Sequence, residues 1–547
     1  MVWQLHRQLR MQINSLTRFQ LLLVFSASTI PRIVGALWLP NAFGDAYAYT
    51  EQIYYLRRAL LDGSFSVSSI FGFWLPFYQL ICASFSAVAG DPFYVSKIIS
   101  GICGGGSCVI ICALTWELTL SKRSTWIATV VVAVNPYHIF YSSSAMTDVP
   151  HAFFILLCAY CCIKRRWGIA SVFTLGAGLM RIESWILIPI LPIAYFLSGP
   201  KRNCRGWRVV KSMALFLCLT LGPLFWLYVS WKATGSVGRY FEIRNQYIVE
   251  TLAGNPELSS FSIARVSFDL LRMIYIVNPL VICAVVMLLL RLNRTLSMPG
   301  NSVFTKTLSW FRNLLSTAQG LVLTFFCSHL AFLIMAYATN NQPEIWPRYG
   351  LIFFALGLPL LASYRPQAWT QAWRANFSRF RVDRRTAYAT ALLFAIQFCV
   401  QLVDVTRMTV ESDPNVTVAG FLEDQFKKDG TMKVYCDDGA IRVLSGIPLE
   451  EFRNQYNSPT DEKAFVKSLR DHQVRFLVYR DLPGSPLAGI VTKLRSRKTG
   501  NSITLEKVIP TPRKPRKDNV VVYRIHENEI ANDLPLPTTR TKLQRQQ

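Results

Sequence analysis

Two aspartates and two arginines stand apart from the apolar chain around them. Asp45 lies in "NAFGDAYAYTEQ", Asp148 in "YSSSAMTDVPH", Arg181 in "LMRIESW" and Arg348 in "EIWPRYG". A carboxylate can deprotonate or orient a hydroxyl. A guanidinium can grip phosphate oxygens through parallel N–H groups and stays charged at any working pH. Together such groups suit transfer away from a phosphate, the cation stabilising the departing charge. Each residue also has a plainer local reading. Asp45 after Gly44 can cap a helix beginning at Ala46, and Asp148 before Val149 and Pro150 suits an N-cap. A lone arginine at a helix end commonly snorkels toward headgroups, and Glu183 can simply neutralise Arg181.

The elements that carry these residues are apolar. Of 547 residues, 52% are hydrophobic and 16% charged. That balance excludes a string of soluble domains. Uncharged runs of about 20 residues recur, each long enough for a helix to cross a ~30 Å hydrocarbon core. The N-terminal stretch has a long basic region and a long apolar run without a small-residue cleavage site, so it reads as a retained first helix. The net charge of +26 raises nucleic acid as a partner, but its placement argues against one. From Glu411 onward 23 Lys/Arg face 18 Asp/Glu, so most of the excess lies among the apolar segments. There it forms short clusters, such as Lys164, Arg165 and Arg166, which is the positive-inside pattern. Most of the 13 cysteines fall in apolar runs and show neither zinc spacing nor a disulfide framework.

Taking the basic clusters as cytoplasmic threads the chain. Spans are expected near 20–39, 98–119, 125–141, 150–163, 167–181, 184–198, 209–230, 267–290, 318–340, 345–363 and 386–406. The run 70–90, broken at Trp74–Leu75–Pro76, then makes no net crossing and is interfacial or re-entrant. This reading predicts a mainly α polytopic protein of about 11 transmembrane helices, residues 1–408, with the N-terminus cytoplasmic. The loops 40–69, 141–151 and 231–266 lie outside, and 46–61 reads as an amphipathic surface helix. Residues 409–530 change rhythm to short strands around a helix, "DEKAFVKSLRDH", which predicts a small α/β domain on the outer face. Residues 531–547 read as a disordered tail, and "RKPRK" at 513–517 as a solvated basic loop.

On this threading Asp45, Asp148, Arg181 and Arg348 all sit at the outer face, where a lipid-linked phosphate would lie. Charge at membrane depth is costly and often marks a site. A carboxylate acting on an acceptor hydroxyl, with cations holding a departing phosphate, is what glycosyl transfer from a polyprenyl-phosphate sugar requires. In motif order, "GDAYAYTEQIYYLRRALLDGSF", "GFWLPFYQLICA", "NPYHIFYSSSAMTDVPHAFF" and "RYGLIFFALGLPLLA", the chain resembles the GT-C membrane glycosyltransferases. The likeness is to the dolichyl-phosphate-mannose protein mannosyltransferases and the bacterial aminoarabinose-transferase-like families, over roughly residues 20–365. The resemblance implies a multi-helix fold with an outward-facing cavity and a polyprenyl-phosphate (dolichyl or undecaprenyl) sugar donor, usually with inversion. It implies Asp45 and Asp148 as the catalytic acids of two outer loops, and Arg348 near the lipid phosphate, with Arg181 a looser match. Tyr349, Glu183 and Glu51 are supporting candidates.

The chain also departs from that pattern. Many relatives carry Asp-Glu where Asp45 is followed by Ala46, and Glu51 stands six residues on. "WLPFY" replaces a basic-Pro-Pro element, which shifts the expected phosphate contact to Arg57 or Arg58. Metal dependence stays open, with a divalent cation as the one cofactor to consider. No His/Asp cluster has ligand spacing, and His138 and His151 read as interface residues. Two other classes remain beside the enzyme: a multi-pass transporter or lipid flippase, and a membrane scaffold with an outer binding domain. Against transport, no internal repeat is visible and the notable charges gather at one face. The acceptor can be protein, lipid or glycan, and the membrane a bacterial inner or plasma membrane or that of the ER.

Overall fold

The computed structural model describes residues 16–41, 44–198, 205–254, 263–294, 311–312, 314–339, 346–363, 384–410, 413–453, 462–480, 490–491, 503–509 and 520–525. The segment 513–517 and the tail 531–547 lie outside these residues. The chain divides into two compact units, Met1–Thr406 and Arg407–Gln547.

The first unit is helical. Helix α1 (Arg18–Trp38) opens on a capping box, in which Thr17 and Gln20 satisfy each other's backbone N–H groups. After it come α2 (Gly44–Leu61), α3 (Phe77–Ala89) and α4 (Pro92–Thr119), the last begun by an Asp91 cap with proline in the first turn. Helices α1 and α4 meet along small residues. A Cβ at Gly105 would lie 1.9 Å from Thr29 Oγ1, and one at Gly104 would lie 2.8 Å from Arg32 Cδ. Their contact seals Arg32, in α1, fully from solvent.

The run 125–141, expected as one span, is two helices, α5 (Lys122–Val134) and α6 (Pro136–Ser142). Pro136 disfavours helical geometry at Asn135, whose side chain instead caps α6 through the His138 N–H at 2.8 Å. Arg32 reaches this break, donating to Val132 O and Ala133 O at 3.3 Å and meeting His138 Nδ1 at 2.8 Å. It thereby adds a donor to the carbonyls at the end of α5, of which Val132 O also accepts the Asn135 N–H at 3.4 Å. The expectation that His138 and His151 lie at the interface is corrected: both are buried.

Then follow α7 (Asp148–Ile163), α8 (Trp167–Gly178), α9 (Leu187–Ser198), α10 (Arg205–Thr234) and α11 (Arg239–Gly254), so the loop 231–266 carries a helix of its own. The run 267–290 is likewise two helices, α12 (Ile263–Val277) and α13 (Pro279–Arg294), bent by 98° at Asn278, which has φ 87°. Helices α14 (Ala318–Ala338), α15 (Gly350–Ser363) and α16 (Arg384–Val410) complete the unit. Helix α16 serves both breaks. Asn278 donates to Gln397 Oε1 and Asn135 to Gln401 Oε1, each at 2.7 Å, and Tyr137 donates to Asp404 at 2.5 Å.

The chain is an integral membrane protein by its helices. Among the described residues five are long and apolar enough to cross a membrane, or six with the bent pair counted as one. Hydropathy predicted about 11. The difference falls on apolar helices of 10–17 residues, shorter than the ~20 that a perpendicular crossing needs. Large apolar side chains such as Leu22, Phe85, Val88, Leu217 and Leu221 face outward, as a lipid-facing surface requires.

The second unit holds α17 (Asp413–Asp429), α18 (Gly439–Leu444), α19 (Glu462–Asp471) and a five-stranded sheet in the order β2-β1-β3-β5-β4. The strands are β1 (Lys433–Cys436), β2 (Phe452–Arg453), β3 (Val474–Arg480), β4 (Ile503–Ile509) and β5 (Val520–Ile525). β1 runs parallel to β2 and β3, and β5 runs antiparallel to β3 and β4. Phe465 and Leu469 of α19 pack on Tyr435, Leu477, Tyr479 and Tyr523 of the sheet. The α/β character expected from sequence is therefore present.

Candidate active site

Asp45 enters through the first turn of α2, where a carboxylate is favoured by the helix dipole. Its side chain does not turn back to cap the helix. Oδ2 meets Arg348 Nη1 at 2.8 Å, with the aspartate side chain 40% exposed and the arginine 12%. Arg348 comes from a short 3-10 turn, Pro347–Tyr349, that leads into α15. That turn is held close to α12, since a Cβ at Gly350 would lie 2.6 Å from Ile276 Cγ2.

Asp148 is the first residue of α7, and the N-cap position belongs to Thr147. The capping reading of Asp148 is thus corrected, and its carboxylate is turned to Arg181 instead. Oδ1 accepts from Arg181 Nη1 at 2.8 Å, with the aspartate side chain 4% exposed. Oδ2 is buried without a hydrogen-bond partner among the described residues. Arg181 follows the end of α8, its backbone N–H returning to Ala177 O. Its Nη2 and Nε donate to Glu183 Oε1 at 2.7 and 3.2 Å. Burial pushes the Glu183 carboxyl up, but the Arg181 guanidinium outweighs this and holds it down at about 2.

Tyr349 joins the two pairs. Its ring lies 5.1 Å from the Arg181 guanidinium carbon and 5.5 Å from that of Arg348, both within cation–π range. The result is one cluster: Asp45–Arg348, Tyr349, then Arg181 with Asp148 and Glu183. Six residues expected at the site from sequence, Tyr349 among them, are therefore together.

The remaining expected residues are placed elsewhere. Arg57 donates Nε to Ser86 O at 3.0 Å, and Arg58 pairs with Asp62 at 3.3 Å on the exposed side of α2. Arg57 is twelve residues beyond Asp45, about 18 Å along the helix axis. Glu51, six residues on, projects about 240° around the helix from Asp45.

Residues that sequence reading passed over complete the frame. Tyr49, one turn after Asp45, meets Thr147 Oγ1 at 3.2 Å, linking the two aspartate-bearing segments. Burial pushes its phenol well up, so it stays protonated. Asn41 Oδ1 accepts from Ala145 N at 2.9 Å, and Ser143 Oγ donates to Arg32 O at 3.0 Å. His151, one turn after Asp148, meets Ser184 Oγ at 2.7 Å. Asn41 and Tyr49 carried a weak signal, being polar groups beside Asp45, but nothing local told Tyr49 from its neighbouring tyrosines. Among the described residues no group of three or more His, Cys, Asp or Glu side chains could hold a metal ion.

Comparison with known proteins bears on this cluster. Residues 14–181 match the family model of the dolichyl-phosphate-mannose-protein mannosyltransferases. The match takes in Asp45, Asp148 and Arg181 and stops short of Arg348. Two crystal structures of ArnT from Cupriavidus metallidurans are similar to this chain. One, bound to undecaprenyl phosphate, is 11% identical with a TM-score of 0.50, and the other, in the apo state, is 12% identical with a TM-score of 0.49. In both cases 92% of this chain and 97% of that chain are covered. At such identities the likeness is one of fold. No curated protein matches the sequence. Both findings fall on the group that motif order resembled.

Proposed function

We propose that this protein is a membrane glycosyltransferase that moves a sugar from a polyprenyl phosphate to an acceptor hydroxyl at the outer or lumenal face. The observation that carries the reading is the cluster itself, two carboxylate–arginine pairs joined across Tyr349 beside helix ends. It holds both groups the chemistry needs, a reachable carboxylate and a guanidinium. The matched family and the undecaprenyl phosphate bound to ArnT support a lipid-linked donor.

Asp45, the more exposed acid, takes the proton of the acceptor hydroxyl. The acceptor oxygen attacks the anomeric carbon from the face opposite the phosphate, which inverts that centre. The bond from carbon to phosphate oxygen breaks, and the leaving polyprenyl phosphate takes the electron pair, its charge met by Arg348. Asp148, held by Arg181, has one covered oxygen without a partner among the described residues, which a hydroxyl of donor or acceptor entering the cluster can meet. In this reading about 11 crossings place the N-terminus inside and residues 409–530 outside.

Purified protein supplied with labelled polyprenyl-phosphate sugar tests the proposal. Wild type transfers label to an acceptor, whereas Asp45→Asn, which keeps most of the local polarity, loses roughly 10²–10⁴ of the rate while remaining folded. Equal transfer by the variant would remove Asp45 from the chemistry.

A further inference from the structure

We propose that the donor phosphate displaces Asp45 from Arg348, so that the base is set free only once the donor is seated. The inference rests on the glycosyltransferase reading above and adds a control step to it.

The two arginines of the cluster are not equivalent. All three nitrogens of Arg181 are engaged by carboxylates: Nη1 goes to Asp148, and Nη2 and Nε go to Glu183. Its carboxylate partners are largely covered, Asp148 at 4% and Glu183 at 24% exposure. A phosphate taking over either of these contacts would unpair a covered carboxylate, which is the costly direction. Arg348 holds its acid, Asp45, on the open side of the cluster, at 40% exposure. Of this pair only the acid stands where water can replace it, Arg348 itself being 12% exposed, so Asp45 is the partner that can leave. Tyr349 packs against the Arg348 guanidinium at 5.5 Å and supports it whether or not Asp45 is in contact. Arg348 is therefore the arginine from which an anion can be exchanged.

Charge favours the exchange. Among the ion pairs of the described residues, Asp45, Asp148 and Glu183 face Arg348 and Arg181, three carboxylates to two guanidinium groups. A sugar phosphodiester brings another negative charge. Two anions on the same side of one guanidinium repel, so the phosphate and the Asp45 carboxylate compete for Nη1. When the phosphate takes it, Asp45 loses its contact with Arg348 and its carboxylate can turn to the acceptor hydroxyl. In the free protein the same carboxylate is engaged by the guanidinium at 2.8 Å.

The test is binding of undecaprenyl phosphate, without sugar, to the full-length protein in lipid nanodiscs. Wild type is compared with Asp45→Asn, Asp148→Asn and Arg348→Gln. Exchange predicts that Asp45→Asn binds roughly tenfold more tightly because the competitor is gone, and that Asp148→Asn shows no comparable gain. Equal gains in both variants would show general charge relief and overturn the exchange. So would unchanged or weaker binding by Asp45→Asn, while leaving the parent reading intact as long as Arg348→Gln weakens binding. If wild type and Arg348→Gln bind the lipid equally, or neither binds, the phosphate role of Arg348 fails and the exchange fails with it. Thermal unfolding of each variant separates loss of binding from loss of fold.

Discussion

Asp148 and Arg181 form a 2.8 Å ion pair in which the acid is the more deeply covered partner, at 4% exposure against 15%. A carboxylate so placed depends on its cation, because breaking a buried pair leaves an uncompensated charge. Arg181→Leu strands Asp148 and Glu183 together. The expected loss is about 3–5 kcal/mol of stability, read as a large drop in thermal midpoint in detergent. A midpoint equal to wild type would show that the pair is solvated.

Acid should act on the same group. The Glu183 carboxyl is held at about 2 in the fold, against an ordinary value of 4.5. A depressed acid contributes stability that is fully present above its unfolded value and is lost as pH falls through its folded value. Wild type should therefore lose stability progressively from about pH 4.5 toward pH 2, while Glu183→Gln shows a shallower slope over that window. Parallel pH–stability curves for the two proteins would contradict the assignment.

Arg32 has a different task. It reaches Val132 O, Ala133 O and His138 from α1, fixing the break that sends α6 toward Thr147 and Asp148. Arg32→Met keeps the volume and removes the donors, at about 1–3 kcal/mol for a buried acceptor left unmet. Because Arg32 acts through the position of Asp148, kcat should fall more than donor KM changes. A variant that is merely less stable, with kcat intact at low temperature, would confine Arg32 to the fold.

Gly104 admits nothing larger. A Cβ there would lie 2.6 Å from Ser142 Cβ and 2.8 Å from Arg32 Cδ. Gly104→Ala should cost about 1–3 kcal/mol by overpacking, and an unchanged unfolding temperature would mean that α1 and α4 can separate without penalty.

These residues show where sequence reading succeeds and where it stops. Asp45, Asp148, Arg181 and Arg348 were legible because charge beside long apolar runs is conspicuous. Their pairing was not, since hydropathy locates a residue along the membrane normal and says nothing of its neighbours in the plane. Arg57 and Arg58 stand apart from the cluster: they lie close to Asp45 in sequence but about three turns along one helix. Both helix breaks were in principle readable, as each falls at an Asn-Pro dipeptide, Asn135–Pro136 and Asn278–Pro279. Uninterrupted hydropathy overrode that signal. In the second unit four strands were visible from their β-branched and aromatic runs, and β2, at two residues, was too short for any pattern.

The glutamines of α16 have a mechanical consequence. Gln397 and Gln401 stand one turn apart on a single helix, and each holds the asparagine of a different break. One break precedes the segment that delivers Asp148, and the other lies beside the turn that delivers Arg348. A roll of α16 about its own axis would unseat both asparagines at once, whereas its translation would have to carry both along. The two halves of the charged cluster are thus phase-locked through a helix that contributes no charge to it.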